Sequence, residues 1–160
     1  MKTQILKLLE GDAKLTSKQI SVMLDLPIDT VNTYIDELES NGTILGYKAV
    51  VDWEKTDKES VSAMIDVKLT PQRGKGYDRV AEKIYNYPEV KSVFLMSGTY
   101  DLSVLIEGKT MKEVAFFVSQ KLAPIDEVIS TATHFVLHKY KDTGVIYDPT
   151  LDIDERGNCN

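Results

Sequence analysis

Residues 90–108 read VKSVFLMSGTYDLSVLIEG, and the fold of the chain turns on them. The stretch parses as two apolar strands, 90–96 and 102–106, joined by Ser97-Gly98-Thr99-Tyr100-Asp101. Glycine supplies the unusual backbone angles of a tight connection, and aspartate can accept hydrogen bonds from neighbouring amides there. Neither strand alternates cleanly: Val93, Phe94, Leu95 and Met96 run consecutively, as do Val104, Leu105 and Ile106. Successive side chains of a strand point to opposite faces, so such runs predict a sheet covered on both sides. The flanking chain must supply the covers.

Upstream, from Val61, the pattern has period two. Val61, Ala63, Ile65, Val67 and Leu69 face one way, with Ser62, Met64, Asp66 and Lys68 opposite. Tyr77, Val80, Ala81, Ile84 and Tyr85 then follow helical spacing up to Pro88. Downstream, Thr110-Met111-Lys112-Glu113 predicts a capping box for a helix lined by Val114, Phe117, Val118 and Leu122, closed by Pro124. Ile129, Thr131, Thr133, Phe135 and Leu137 make a last alternating strand, with His134 and His138 on its other side. The order βαββαβ is the ferredoxin-like split arrangement, over residues 61–142. Both of its helices lie on one face of the sheet. The other face would be exposed in a monomer, which predicts self-association.

The first fifty residues have another grammar. Ile5, Leu6, Leu8 and Leu9 suggest a short amphipathic helix ended by Gly11-Asp12. Thr16-Ser17-Lys18-Gln19 fits a capping box, opening a helix with Ile20, Met23 and Leu24 on one face. Val31, Tyr34, Ile35 and Leu38 then occur at i, i+3, i+4 and i+7, the spacing of a buried helical face, and Asn41-Gly42 is a stop. Residues 43–51, TILGYKAVV, read as extended chain. Two helices joined by a short turn after a first helix suggest helix-turn-helix. The polar run DWEKTDKES, 52–60, is the expected linker, and 143–160 an acidic tail.

Composition narrows the rest. The chain has 160 residues, is 42% hydrophobic and 28% charged, and carries a net charge of −6. The charge is uneven: residues 1–53 hold five lysines against eight acids, and 143–160 one arginine against four acids. No apolar run approaches the ~18 residues of a membrane span. The apolar start is interrupted by Lys7 and Glu10, so no signal peptide is expected and a cytoplasmic location is. Cys159, the single cysteine, excludes an internal disulfide and a multi-cysteine metal site. No P-loop, GxGxxG, GxSxG or HExxH motif occurs. On a strand, His134 and His138 would lie ~13 Å apart, too far to share a metal. No cofactor and no metal are expected.

Residues 16–47, TSKQISVMLDLPIDTVNTYIDELESNGTILGY, resemble the winged helix-turn-helix of the Lrp/AsnC transcriptional regulators through Val31, Ile35, Leu38, Gly42, Ile44, Gly46 and Tyr47. The second half resembles the family's effector and oligomerisation (RAM) domain, most closely at Pro88-Glu89-Val90 and at Ser97-Gly98-Thr99-Tyr100-Asp101-Leu102. The resemblance implies an α+β protein: a DNA-binding domain over 1–51 and a βαββαβ effector domain. It further implies a homodimer, in the family commonly assembled to an octamer, with an amino acid or related small molecule as effector.

Carried over by position, the effector would meet Met96, Ser97, Gly98, Thr99, Tyr100 and Asp101, with Thr131 and Thr133 from the last strand. Asp101 could pair with a ligand ammonium or merely form the turn; both readings stand at this point. Double-stranded DNA would be met by the helix 28–41, with Asp29, Thr30, Asn32, Thr33 and Tyr34 on its outer side. Asn32 is the best base reader, since its amide can bond adenine bidentately. Lys14, Lys18 and Lys48 are the candidate phosphate contacts.

The departures from the family pattern matter. Pro27-Ile28-Asp29 stands where Ser-Pro-Ser is common, and Thr33, Tyr34, Asp36 and Glu37 stand where arginine and lysine are common. The first arginine is Arg73. Weak DNA affinity is therefore expected. Two alternatives follow: a ligand-sensing oligomer without DNA binding, and a tetrapyrrole decarboxylase-like enzyme, which the same two-domain resemblance also touches and which would need arginines such as Arg73 and Arg79.

Overall fold

A computed structural model describes residues 1–71, 74 and 76–147; Arg73, the acidic residues 148–155 and Cys159 lie outside the described residues. The chain divides into two compact units, Met1–Val51 and a second from Asp52 onward.

The first unit holds α1 (Lys2–Gly11), α2 (Ser17–Leu24) and α3 (Ile28–Ser40). Its core is Ile5, Leu9, Ile20 and Val31, closed by half-buried Leu8, Leu15, Leu24, Leu26, Tyr34, Ile35 and Ile44. The capping box of α2 forms in full: Thr16 Oγ1 accepts from the Gln19 amide, and Gln19 accepts from the Thr16 amide. Asp25 ends α2 in the left-handed region, at φ 52°, where its short polar side chain is tolerated. Gly42, at φ 73°, takes the same conformation beyond α3, and the Ile44 amide closes on Leu38 at 2.9 Å. Met23, expected with Ile20 and Leu24, is instead 58% exposed. No strand follows α3 in this unit among the described residues, so 45–51 forms an irregular wing.

The second unit holds β1 (Val61–Leu69), α4 (Gly76–Tyr85), β2 (Val90–Leu95), β3 (Leu102–Gly108), α5 (Met111–Phe117) and β4 (Val128–Phe135). Two short strands, β5 (Lys141–Asp142) and β6 (Val145–Ile146), pair with each other. The main sheet has the order β2-β3-β1-β4, antiparallel throughout, which is the ferredoxin-like arrangement.

Register explains the burial. Ala63, Ile65 and Val67 stand opposite Ile106, Val104 and Leu102, and partners in an antiparallel ladder share a face. That face meets Val80, Ile84, Val114, Phe117 and Leu122 in one core. Full burial of such a side chain contributes about 1.5–3 kcal/mol. The open face carries Phe94, Leu105, Met64 and Ala132, interleaved with Ser92, Ser103, Asp66 and His134. With Ser62, Lys68, Glu107 and Ser130 on it as well, the face is mostly polar, because Val93 and Leu95 turn to the helix side after a register shift between Val90 and Ser92.

Four local expectations change. Tyr85 is exposed at 56%, beyond the reach of the sheet. The Glu113 carboxylate bonds the amide of Lys109 at 2.7 Å, one residue ahead of its cap Thr110. The last helix continues as a π-turn, Val118–Leu122. The last strand ends at Phe135, so Leu137 is 86% exposed and His138 is off the sheet. There His138 Nδ1 faces Glu54 at 3.5 Å, while His134 Nε2 faces Asp66 at 3.4 Å. The two imidazoles thus have different carboxylate partners. Among the described residues no cluster of three His, Cys, Asp or Glu could hold a metal, and no helix is long and apolar enough to cross a membrane.

Candidate functional site

The outer face of α3 is set by the residues that go inward. Val31 and Leu38 are buried and Ile35 is half-buried, which leaves Asp29, Asn32, Thr33, Asp36 and Ser40 on the opposite side, one turn apart in sequence. Asn32 is exposed. Thr33 is exposed too, but its hydroxyl donates to the Asp29 carbonyl at 2.8 Å. Thr30 is half-buried.

Tyr34 follows the buried-face spacing and departs from the outer-side placement. It packs against the core, and the Lys2 ammonium lies 5.4 Å from its ring centroid while pairing with Glu37. The tyrosine falls on the inner flank because its helical phase is nearer Val31 and Leu38 than Asn32. Lys14, Lys18 and Lys48 are all exposed. Tyr47 bridges the irregular wing back to α3 by donating to Glu39 at 2.9 Å; partial desolvation and then that bond push its phenol above the usual range. The outer face of α3 is therefore an asparagine and a threonine framed by carboxylates.

The loop between β2 and β3 presents Met96, Ser97, Gly98 and Thr99 to solvent, with Tyr100 half-buried. Gly98 has φ 146°, a conformation other residues rarely adopt, although a Cβ there would meet nothing within 4 Å. The requirement is for backbone freedom alone.

Asp101 points inward. Its Oδ2 accepts from the Leu69 amide at 2.8 Å and faces the Lys68 ammonium at 3.3 Å, while its own amide donates to Val67 at 3.0 Å. The carboxylate that was to face a ligand ammonium thus ties the loop to the end of β1. The Met96 amide closes the loop on the Asp101 carbonyl at 2.8 Å. Thr131 pairs with Val67, which pairs with Leu102, so Thr131 shares the row at the base of the loop, about 10 Å across two strands. Thr133 lies one same-facing position farther along β4, opposite Ile65, and is exposed. Lys68 and Leu69, at the end of β1, are the partners of the loop that sequence reasoning missed, for no local motif links them to Asp101.

A helix-turn-helix unit followed by a split βαβ domain with an open strand-connecting loop is the build of a two-domain regulator that reads DNA and senses a ligand. The model of the Lrp/AsnC ligand binding domain matches residues 62–146, and that of a winged helix-turn-helix DNA-binding domain matches residues 2–44. The chain belongs to the Lrp/AsnC family of HTH-type transcriptional regulators.

The HTH-type transcriptional regulator YugG of Bacillus subtilis is 50% identical over 155 residues, 96% of this chain and 93% of that protein. The HTH-type regulator FL11 of Pyrococcus horikoshii is 33% identical over 140 residues, covering 88% of this chain and 89% of its own. A transcriptional regulator of Neisseria meningitidis, solved as a complex with L-methionine, shares the fold with a TM-score of 0.72 at 22% identity, over 97% of this chain and 96% of that one.

Proposed function

We propose that the chain works as a homodimer or larger assembly in the cytoplasm, binding operator DNA through α3 and an amino acid at the β2–β3 loop. The observation that carries the reading is the pairing, in one chain, of an exposed Asn32 on a helix-turn-helix with an exposed Gly98 loop pinned by Asp101. Amides and hydroxyls of Ser97, Gly98 and Thr99 are suited to a ligand carboxylate. Met96, Tyr100, Thr131 and Thr133 would frame the remainder, and Asp101 would act chiefly by positioning the loop. The Neisseria relative's complex with L-methionine supports an amino acid as the ligand class.

On the DNA side, Asn32 reads a base, Asp29, Thr30, Thr33 and Tyr34 shape the surface around it, and Lys14, Lys18 and Lys48 position it on phosphates. Acids on the same face keep single-domain affinity low, so several domains of one assembly must engage one DNA together. The open sheet face, with Phe94 57% exposed and Met64 46% exposed, is the self-association surface.

The chain acts by binding, without catalysis. For the tetrapyrrole enzyme alternative, Arg79 is already held by Glu127 at 3.2 Å. A genomic-fragment pull-down with and without pooled amino acids tests the proposal. Enrichment of discrete fragments that changes with one amino acid supports it. Amino-acid binding without any DNA capture would leave the sensing-only alternative standing.

A further inference from the structure

At the end of the sheet opposite the Ser97 to Asp101 loop, where β3 runs out and α5 begins, the second unit holds a cavity of about 490 Å³. That lies within the range of roughly 300–1,000 Å³ found for small-molecule sites. Its floor is Ile106, Val114 and Phe117, which are buried. Phe116 stands at the wall, 53% exposed, an aromatic ring left in water beside a closed apolar floor. Gly108 permits the close approach: a Cβ there would come within 3.4 Å of both Glu113 and Val114.

The charges around the cavity are mostly spoken for. Glu89 pairs with Lys121, Glu107 pairs with Lys91 at 3.5 Å, and Glu113 accepts from the Lys109 amide at 2.7 Å. Lys121 also bonds Glu89 strongly enough to hold its carboxyl below the usual range, against a desolvation that opposes it. The Lys58 ammonium sits 4.0 Å from the Trp53 ring centroid and has no carboxylate partner among the described residues. The Lys109 ammonium has no ion pair among the described residues. Against these two cations stands one unpaired acid, the exposed Glu59.

We propose that this cavity is a binding site for a small monocarboxylic acid with an apolar body, aryl or branched alkyl. The body rests on Ile106, Val114, Phe116 and Phe117, and the carboxylate meets Lys109, with Lys58 as the second cation of the lining. An amine would have to settle for exposed Glu59 or reach Glu89 Oε2, which has no hydrogen-bond partner among the described residues but is buried beside the Lys121 pair. The site is distinct from the β2–β3 loop and does not depend on the reading given to it.

Isothermal titration of the full chain with 3-phenylpropionate, its neutral primary amide and 2-phenylethylamine tests this. The acid should bind once per chain, roughly fivefold or more tighter than the amide, as one charge-assisted contact at an exposed lysine allows. Lys109→Met should erase the gap between acid and amide, and Phe116→Ala should weaken both. Absence of binding, equal binding of acid and amide, or tighter binding of the amine overturns the proposal. So does indifference to Lys109→Met, whose exposed side chain makes it the decisive variant if Phe116→Ala fails to fold.

Discussion

Replacing Asp101 by alanine should destabilise the second unit before it does anything to a ligand. The substitution leaves the Leu69 amide without its 2.8 Å partner and removes the carboxylate facing Lys68 at 3.3 Å. A hydrogen bond to a charged acceptor contributes about 1.5–3 kcal/mol. The ion pair, with Lys68 37% and Asp101 18% exposed, adds at most about 1 kcal/mol. The expected loss is therefore about 1.5–4 kcal/mol, against about 1 kcal/mol for Asp101→Asn, which keeps an acceptor in place. At a urea slope of about 2 kcal/mol/M, alanine should lower the unfolding midpoint by roughly 1 M. Protein concentration must be held fixed, because the proposed self-association would contribute to apparent stability. A midpoint that does not move, together with complete loss of amino-acid binding, would show that Asp101 contacts the ligand and that its inward bonds are incidental.

Other outcomes can be checked alongside. Phe94→Glu places a charge on the open sheet face and should convert the assembly to smaller species by light scattering, with the fold retained by circular dichroism. Thr16→Ala removes the cap of α2 and should cost about 1 kcal/mol in thermal or urea unfolding of the first unit. Glu89 is held below its ordinary carboxylate range, first by the bond from Lys121, so wild type should exceed Glu89→Gln in stability at neutral pH. That advantage should be complete above the unfolded pKa of about 4.3 and disappear as pH falls through the lowered folded value. An advantage that persists at lower pH would contradict the assignment.

Much of the fold was legible because its determinants are local or periodic. The Thr16 capping box spans four residues, the β1 alternation is unbroken, and Val31, Ile35 and Leu38 fix the inner side of α3. What escaped depends on distance in sequence or on phase. Asp101 meets an amide 32 residues away, and nothing near it in the chain names that partner. Tyr34 and Met23 each carry an apolar body whose placement depends on about a third of a helical turn. The extent of β4 was overread because Phe135 and Leu137 continue an alternation after pairing with β1 has stopped at Ala63. The mostly polar character of the open face was hidden by a register shift that no side chain advertises.

The proposed regulator would read DNA through α3, which carries four acids and no lysine or arginine, and would compensate through its assembly. Fluorescence anisotropy of the full chain against duplexes carrying one and several copies of a captured operator, across a salt series, tests it most directly. With Lys14, Lys18 and Lys48 as the phosphate contacts, each engaged domain should contribute a slope of only about −2 to −3 in log K against log salt. The slope should steepen, and affinity rise, as more copies are engaged. A slope near −6 or beyond from a single engaged domain, or no binding to any duplex even at low salt, would contradict the account.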